Sequence, residues 1–533
     1  MSVHNSYADL SRRQVIFTLG GMMLTLLLAA MDQTIVGTAM PRVVASLNGF
    51  DRYPWVTTAY LLASTVAVPV FAKLSDLYGR KWLYLFGAIL FIVSSWLCGA
   101  AGNLPLPLDG MNQLIVARAL QGIGGGCIMG LTFTIIGDLF SPAERGRFQG
   151  LFAAVFGLAS VIGPLAGGWI TDNLSWRWAF YVNAPLGIIS VTTLYLTFPH
   201  VRPHRAGKGI DWKGIVALVA WIVPLLLTLS EVNARGWTDP AVVAALTWTA
   251  LALAVFVVVE FRAPEPLLPP SLFRIRSISL ATSAVFMLGM GLFGMFLYLP
   301  LYLQAVLGLS AEASGRLFTP LVFSMIFASV VSGQVVSRTG RYKVLAVCGA
   351  ALASGGMLLL TRMDRDVTSA LIVRNMLVLG LGFGLVQPIF NLVIQNAAPR
   401  EYMGAATASS QFFRSIGSTI GVAVFGTMLL TTYHRGLEAA IPPGTPAAVV
   451  RLFDNPLELA RAQSQVAEQI AATPGGDELL RVLLAATRDS LATGMHQVFV
   501  VAAAIIGVTL LLTLFLPELP LRKTTHQPAP AEG

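Results

Sequence analysis

Fourteen long apolar stretches are the feature that most constrains how this chain can fold. A helix needs about 20 mostly apolar residues to cross the hydrocarbon core of a bilayer. Segments of this kind cover residues 15–38, 55–72, 82–101, 112–136, 148–170, 179–198, 212–230, 240–260, 277–302, 315–336, 344–361, 368–395, 404–430 and 497–516. A membrane-spanning barrel would show alternating apolar and polar residues instead of continuous apolar runs. The chain is therefore predicted to be an all-α polytopic membrane protein.

The composition excludes the main soluble classes. Apolar residues make up 55% of the 533 residues and charged residues only 11%, whereas soluble domains contain about 25% charged residues. A soluble enzyme, a disordered chain and a nucleic-acid-binding protein are all poor fits. Because the three cysteines, Cys98, Cys127 and Cys348, lie inside apolar stretches, they predict neither disulfides nor a metal site. No cofactor and no nucleic-acid partner are expected.

The basic residues predict how the helices are oriented. Loops on one side of the fourteen spans hold 20 Lys and Arg, and the short loops on the other side hold six. Cytoplasmic loops carry the excess of basic residues, so both termini are predicted to be cytoplasmic in a multi-pass protein of the cell membrane. Residues 431–496 then form a long extracytoplasmic loop with amphipathic stretches near 455–472 and 477–492. This loop is expected to be either a small helical cap or a docking surface for an extracytoplasmic adaptor.

An internal repeat divides the chain into two halves. Three landmarks recur in the same order 256 to 261 residues downstream. The first pair is Gly79-Arg80 and Gly340-Arg341. The second is Arg118, followed by Gly122, Gly124 and Gly126, and its counterpart Arg374, followed by Gly380, Gly382 and Gly384. The third is Pro142-x-Glu144 and Pro399-x-Glu401. Such parallel halves are typical of transporters that rock two bundles about a central site. We expect six-helix bundles over 1–199 and 277–516, a two-helix insert over 200–276 and a tail over 517–533.

Several motifs in order resemble one transporter family. They are the loop from Ala72 to Lys81, Arg118-x-x-Gln121-Gly122-x-Gly124, Gly163-Pro164-x-x-Gly167-Gly168, the first span from Leu28 to Pro41, and the stretch from Trp176 to Pro185. Together they resemble the major facilitator superfamily, and specifically its fourteen-span drug:proton antiporters of the EmrB/QacA type. The resemblance covers nearly the whole chain and implies the major facilitator fold.

That resemblance implies a proton-coupled antiporter that exports amphipathic, cationic small molecules by alternating access, as in multidrug efflux and antibiotic resistance. Its partners would be the substrate, protons and the lipid bilayer, and the resemblance implies a bacterial inner or plasma membrane. Export of a dedicated metabolite, lipid or siderophore is the first alternative, and a non-transporting sensor or scaffold is a remote one. We do not expect an enzyme, because the loops show no nucleophile–base or metal-binding set of residues. The glycines at 122–126 lack the Lys-Ser/Thr of a phosphate-binding loop.

Asp32 is the strongest candidate for proton coupling and substrate binding. A carboxylate at membrane depth costs about 2.5–3.5 kcal/mol on insertion scales, so such groups usually face a cavity and act in transport. Proton and cation would compete for it, although a structural polar contact is an alternative. Arg118 cannot lose its charge, and the resemblance implies a role for it in proton coupling; a role in packing alone is the alternative. Arg414 is expected either to face the cavity or to reach the inner membrane interface.

Two further groups of residues are candidates through the resemblance. Asp76, Gly79, Arg80 and Lys81 would form a gating clamp that stabilises the outward-facing state, with Gly79 permitting a tight turn. In the fifth span, Gly163, Pro164, Gly167 and Gly168 would seal a leak pathway in antiporters. The same small residues could equally serve close packing of any two helices.

Overall fold

The computed structural model describes residues 3–4, 11–47, 52–140, 142–201, 209–309, 311–363, 367–441, 445, 453 and 476–521. Within these residues, fourteen helical segments are long and apolar enough to cross a membrane, as predicted. Outside the helices, two short strands, β1 (Val3–His4) and β2 (His200–Val201), pair in parallel. The fold is an all-helical membrane bundle.

The helices follow one another in three groups. The N-half contains α1 (Arg12–Leu47), α2 (Tyr53–Tyr78), α3 (Arg80–Ala100), α4 (Gly110–Leu139), α5 (Pro142–Asn173), α6 (Trp178–Tyr181) and α7 (Asn183–Thr197). The insert contains α8 (Trp212–Arg235) and α9 (Pro240–Arg262). The C-half contains α10 (Arg276–Leu301), α11 (Ala311–Thr339), α12 (Lys343–Leu360), α13 (Ser369–Ala397), α14 (Met403–Ala440) and α15 (Gly476–Leu514). Below, the inner end of the bundle is the end with the excess of basic loop residues, and the outer end is the opposite one.

The sixth span is interrupted between α6 and α7. Trp178 to Thr197 forms one apolar span, but its helix breaks at Val182. Pro185 explains the break, because a proline has no N–H to donate to the carbonyl four residues earlier, that of Tyr181. The break places Asn183 at the start of α7 inside the protein, where it is buried.

The backbone reproduces the repeat seen in the sequence. Gly79 and Gly340 both adopt positive φ angles, 94° and 68°, in the turns that follow α2 and α11. A Cβ at Gly124 would lie within 3 Å of the α3 backbone, and a Cβ at Gly382 would meet the α12 backbone equally closely. Small residues let helix backbones approach in this way. The glycines that follow Arg118 and Arg374 therefore pack α4 and α13 tightly against their neighbours in the two halves.

The segment after the thirteenth span differs from the prediction. Helix α14 continues to Ala440, and α15 already begins at Gly476, so the stretch 477–492 is the first part of the last spanning helix, not part of a separate cap. At about 1.5 Å per residue, the 38 residues of α14 reach well beyond a hydrocarbon core about 30 Å thick. Ser490 of α15 packs against Gly436, and Thr432 donates a 2.8 Å hydrogen bond to Gln497. The other amphipathic stretch, 455–472, lies outside the described residues, and docking of an adaptor stays a prediction.

Candidate functional site

Asp32 lies at the centre of a buried polar cluster formed by α1, α4 and α7. Its side chain is fully buried and accepts a 2.5 Å hydrogen bond at Oδ2 from Nη1 of Arg118. Oδ1 accepts hydrogen bonds from the side-chain amides of Gln121, at 2.8 Å, and Asn183, at 3.2 Å. Three donors from two other helices thus fix the carboxylate.

Arg118 is as deeply buried as its partner. Nη1 also donates to Oε1 of Gln121 at 2.7 Å, and Nε reaches the backbone carbonyl of Val56 at 3.4 Å. Its guanidinium carbon lies 4.4 Å from the centre of the Tyr60 ring, close enough for a cation–π interaction. A buried ion pair is tolerated only when additional hydrogen bonds satisfy both groups, and this cluster supplies them.

Asp32 and Arg118 are recognisable in the sequence, but two residues that contact them are not. Asn183 was noted only as part of a family-like stretch, yet it bridges Asp32 and the Ser95 hydroxyl, at 2.9 Å. Tyr60 carried no signal, because an aromatic residue is ordinary in an apolar helix. The repeat counterpart of Arg118 has no such cluster in its described contacts: Arg374 donates to its neighbour Asn375, at 3.1 and 3.3 Å.

A cavity of about 260 Å³ lies between the two halves. Helices α1, α4 and α5 line it from the N-half, and α10, α11, α13 and α14 line it from the C-half. Its wall combines aromatic and aliphatic side chains with amides and hydroxyls, as is usual for small-molecule sites. The lining residues are Ala30, Gln33, Thr34, Phe133, Phe156, Gly157, Ser160, Leu292, Phe296, Val322, Met325, Ser329, Gly384, Gln387, Pro388, Asn391 and Arg414.

The structure separates two residues that the sequence analysis grouped together. Arg414 lies on the cavity wall and donates to Oε1 of Gln411 from Nη2, at 2.6 Å, and from Nε, at 3.1 Å. Asp32 is not on the wall, whereas its chain neighbours Gln33 and Thr34 are. Among the described lining residues, Arg414 is the charged one and there is no carboxylate. The cavity and the Asp32 cluster are therefore adjacent but distinct.

The residues proposed for gating form a second ionic cluster at the inner end. Arg80 bridges Asp76, at 2.5 Å, and Asp138 of α4, at 2.9 Å, and it also donates to the Ser75 hydroxyl. Lys81 donates to the backbone carbonyls of Tyr195 and Phe198, at 2.8 and 2.6 Å, where α7 ends. The two basic residues therefore hold the inner ends of α2, α3, α4 and α7 together.

Asp76 also faces the other half of the molecule. A Cβ at Gly404, in the first turn of α14, would collide with the Asp76 carboxylate. The first turn of a helix carries partial positive charge, which a carboxylate stabilises by about 0.3–1 kcal/mol. Beside this contact, Val68 and Ala72 of α2 pack against Ala408 of α14. The two halves thus meet closely at the inner end.

Gly163 of α5 faces α1 near Asp32. Thr34 donates its hydroxyl to the Ala159 carbonyl, at 3.2 Å, and a Cβ at Gly163 would overlap that hydroxyl. Gly167 is buried, whereas Gly168 has open space where a Cβ would be. The side chain of Pro164 lies outside the described part of the structure. Close packing of α5 on α1 therefore depends on Gly163 in particular.

Gly163→Ala is expected to destabilise the protein by about 1–3 kcal/mol and to weaken transport, because the added methyl forces α5 away from Thr34. Gly168→Ala is the matched control, since the same methyl would enter open space. Thermal unfolding of both purified variants measures the difference. Equal midpoints for the two variants would contradict the packing assigned to Gly163.

Comparisons with known proteins agree with this architecture. The family model for the Major Facilitator Superfamily matches residues 22–422. The multidrug transporter protein MdtP of Bacillus subtilis is 37% identical, over 96% of this chain and 94% of its own length. Multidrug resistance protein 3 of the same organism is 33% identical, over 96% of each chain. Among solved structures, the human organic anion transporter MFSD10 aligns with a TM-score of 0.58 at 14% identity, covering 92% of this chain and 99% of that one. This multi-pass membrane transporter therefore belongs to the Major Facilitator Superfamily.

Proposed function

We propose that the protein is a proton-coupled antiporter that exports amphipathic small molecules by alternating access. The observation that carries this proposal is the buried Asp32–Arg118 pair, which lies directly beside a cavity between the two halves. The relatives at 37% and 33% identity are named as multidrug proteins, which supports efflux as the direction of transport.

Asp32 is the proposed proton carrier. When it is ionised, its negative charge is balanced by Arg118. A proton on Asp32 removes that charge, and Arg118 then loses its strongest acceptor in the cluster. Because an unpaired buried charge is costly, the cluster must rearrange each time the proton binds or leaves. Two protonation states thus favour two arrangements of α1 and α4.

The rearrangement reaches the cavity through α1. Gln33 and Thr34 follow Asp32 in the same helical turn and line the cavity. A shift of this turn changes the wall on which a substrate lies, so substrate and proton affect each other's affinity. Reciprocal coupling of this kind is what exchange requires.

The contact of Asp76 with the start of α14 is the proposed clamp for the outward-facing state. It ties α2 of one half to α14 of the other at the inner end. Opening the inner end separates these helices and exposes Asp76 and Arg80 to water. The clamp therefore favours the conformation in which the inner end is closed.

The charged groups on the cavity wall indicate which substrate charge the cavity favours. The family resemblance implies cationic substrates, and a cation would compete with the proton for Asp32. In the structure, however, Asp32 is enclosed by Arg118, Gln121 and Asn183. The charged group on the described wall is Arg414. This observation favours a second candidate, the export of acidic amphipathic molecules that pair with Arg414.

Proton movement in liposomes tests these proposals. Purified protein is reconstituted into liposomes that contain a pH dye, and a difference of one pH unit is imposed across the membrane. The entry of one proton down this difference can support about a tenfold concentration ratio of the exchanged substrate. Lipophilic cations, neutral compounds and lipophilic acids are then added in turn. We expect substrate-dependent proton movement, and we expect Arg414→Gln to reduce the response to acids more than the response to cations, because it removes the cation on the wall.

Other outcomes separate the alternatives. If cations cause the same proton movement in Arg414→Gln as in the wild type, the substrates are cationic. A response to a single metabolite or lipid alone would identify a dedicated exporter. If none of the compounds causes proton movement although the protein is folded, antiport is contradicted and a sensor or scaffold is favoured.

A further inference from the structure

Two carboxylates lie at the inner corner of the insert, where α8 begins and α9 ends. Asp211 caps α8 by accepting the backbone N–H of Gly214 at Oδ1, at 2.8 Å. Glu260, in the last turn of α9, accepts the backbone N–H of Leu268 at Oε2, at 2.9 Å. Each carboxylate therefore uses one oxygen to fix the backbone of the insert.

The second oxygen of each carboxylate has no partner among the described residues. Oδ2 of Asp211 and Oε1 of Glu260 are both buried, and neither makes a hydrogen bond within the described part of the chain. The Glu260 residue is only 3% exposed. A Cβ at Gly214 would collide with Oδ2 of Asp211 and lie 2.8 Å from Oε1 of Glu260. The two unpaired oxygens thus lie on either side of the position that a Cβ of residue 214 would occupy, and Gly214 has no side chain to separate them.

The described neighbouring charges balance this pair only in part. Among the described residues, Lys73 of α2 and Glu265 of the segment after α9 also face this corner, and they form a buried ion pair with each other at 2.8 Å. The ammonium of Lys73 is thus engaged by Glu265. Two ionised carboxylates at one buried site repel each other, and each would leave an oxygen without a hydrogen-bond donor.

We propose that Asp211 and Glu260 share one proton taken from the inner aqueous side. The carboxyl that holds it donates an O–H···O⁻ hydrogen bond to the other carboxylate, so both unpaired oxygens are satisfied. Carboxylates that share a site bind one proton more tightly than an isolated carboxylate does. This site is separate from Asp32, because it belongs to the insert and lies at the inner end.

The shared proton holds the insert together at this corner. When it is present, the start of α8 and the end of α9 carry one negative charge between them, and when it leaves, repulsion separates them. Lys73 and Glu265 join the same corner to α2. The insert therefore responds to the pH of the inner compartment, whatever the proton stoichiometry of transport.

Labelling by a hydrophobic carbodiimide, which reacts with protonated carboxyl groups, tests the site in the full-length protein at pH 7. Peptide mapping is expected to find the label on Glu260 or Asp211. Asp211→Asn should lower labelling of Glu260 by about tenfold, and Glu260→Gln should lower labelling of Asp211 similarly, because each amide donates to the remaining carboxylate and keeps it ionised. Asp239→Asn is the matched control, since Asp239 caps α9 in the same way at the other end of the insert.

Thermal unfolding as a function of pH is the second measurement. A proton bound more tightly in the folded protein makes stability fall as the pH rises. The unfolding midpoint should therefore fall more steeply between pH 5 and pH 8 in the wild type than in Glu260→Gln. The proposal is overturned if neither carboxyl is labelled, if labelling of Glu260 persists in Asp211→Asn, or if the two pH profiles are parallel.

Discussion

Asp32→Asn is expected to abolish substrate-dependent proton movement, reducing it to the level of liposomes without protein. The variant should be less stable than the wild type, because the amide nitrogen cannot accept from Gln121 and the Arg118 charge is left unbalanced. Asparagine has nearly the same shape as aspartate, and its Oδ1 can accept from Arg118, so the helices should still pack. It cannot bind or release a proton, however. The two arrangements of the cluster then no longer depend on pH, and export loses its energy source.

The control for this variant is Asp109→Asn. Asp109 caps α4, the helix that carries Arg118, and it pairs with Arg52 in an exposed position. The Arg52 side chain holds the pKa of Asp109 below its usual range, so Asp109 is ionised throughout the assay. Asp109→Asn should transport normally. Retention of proton exchange by Asp32→Asn would show that another group carries the proton.

Removal of Arg118 is expected to have the largest effect on stability. Arg118→Met should lower the free energy of unfolding by about 3–5 kcal/mol, because it leaves the Asp32 carboxylate buried without a counter-charge. Gln121 and Asn183 would remain as its donors, but neutral amides do not balance a charge. Unfolding of the purified variants in detergent, followed by the loss of helical signal, measures the change.

The double variant Asp32→Asn/Arg118→Met separates this cause from a simple loss of packing. Replacing both members of a buried ion pair is often neutral, whereas removing one is not. The double variant should therefore be more stable than Arg118→Met alone. An equally unstable double variant would show that Arg118 acts through its contacts with Tyr60 and Val56 and not through the charge of Asp32.

The sequence was most informative about the apolar spans and about the charged residues inside them. A run of apolar residues predicts a spanning helix, and Asp32 and Arg118 are conspicuous inside such runs. The repeat is equally visible, because Gly79 and Gly340 recur with the same turn geometry. These features depend on local composition, which is why a single sequence reveals them.

Side-chain direction could not be predicted in the same way. Nothing in the order Asp32, Gln33, Thr34 shows that the carboxylate points into the N-half while its neighbours face the cavity. The carboxyl pair of the insert was also missed, because Asp211 and Glu260 are far apart in the chain and each looks like an ordinary charge at a helix end. The long α15 was missed for a related reason: its first turns are amphipathic because they lie beyond the apolar core beside α14.

The separation of Asp32 from the cavity wall has a consequence for how transporters built in this way diversify. On the proposed mechanism, the energy source depends on a few polar side chains enclosed in the N-half, whereas recognition depends on a broad wall contributed by seven helices. Under selection by a new toxic compound, substitutions at wall positions such as Phe156 or Met325 change what is bound without touching the charge that drives export. If the proposed function holds, a lineage can thus change its range of substrates one wall residue at a time.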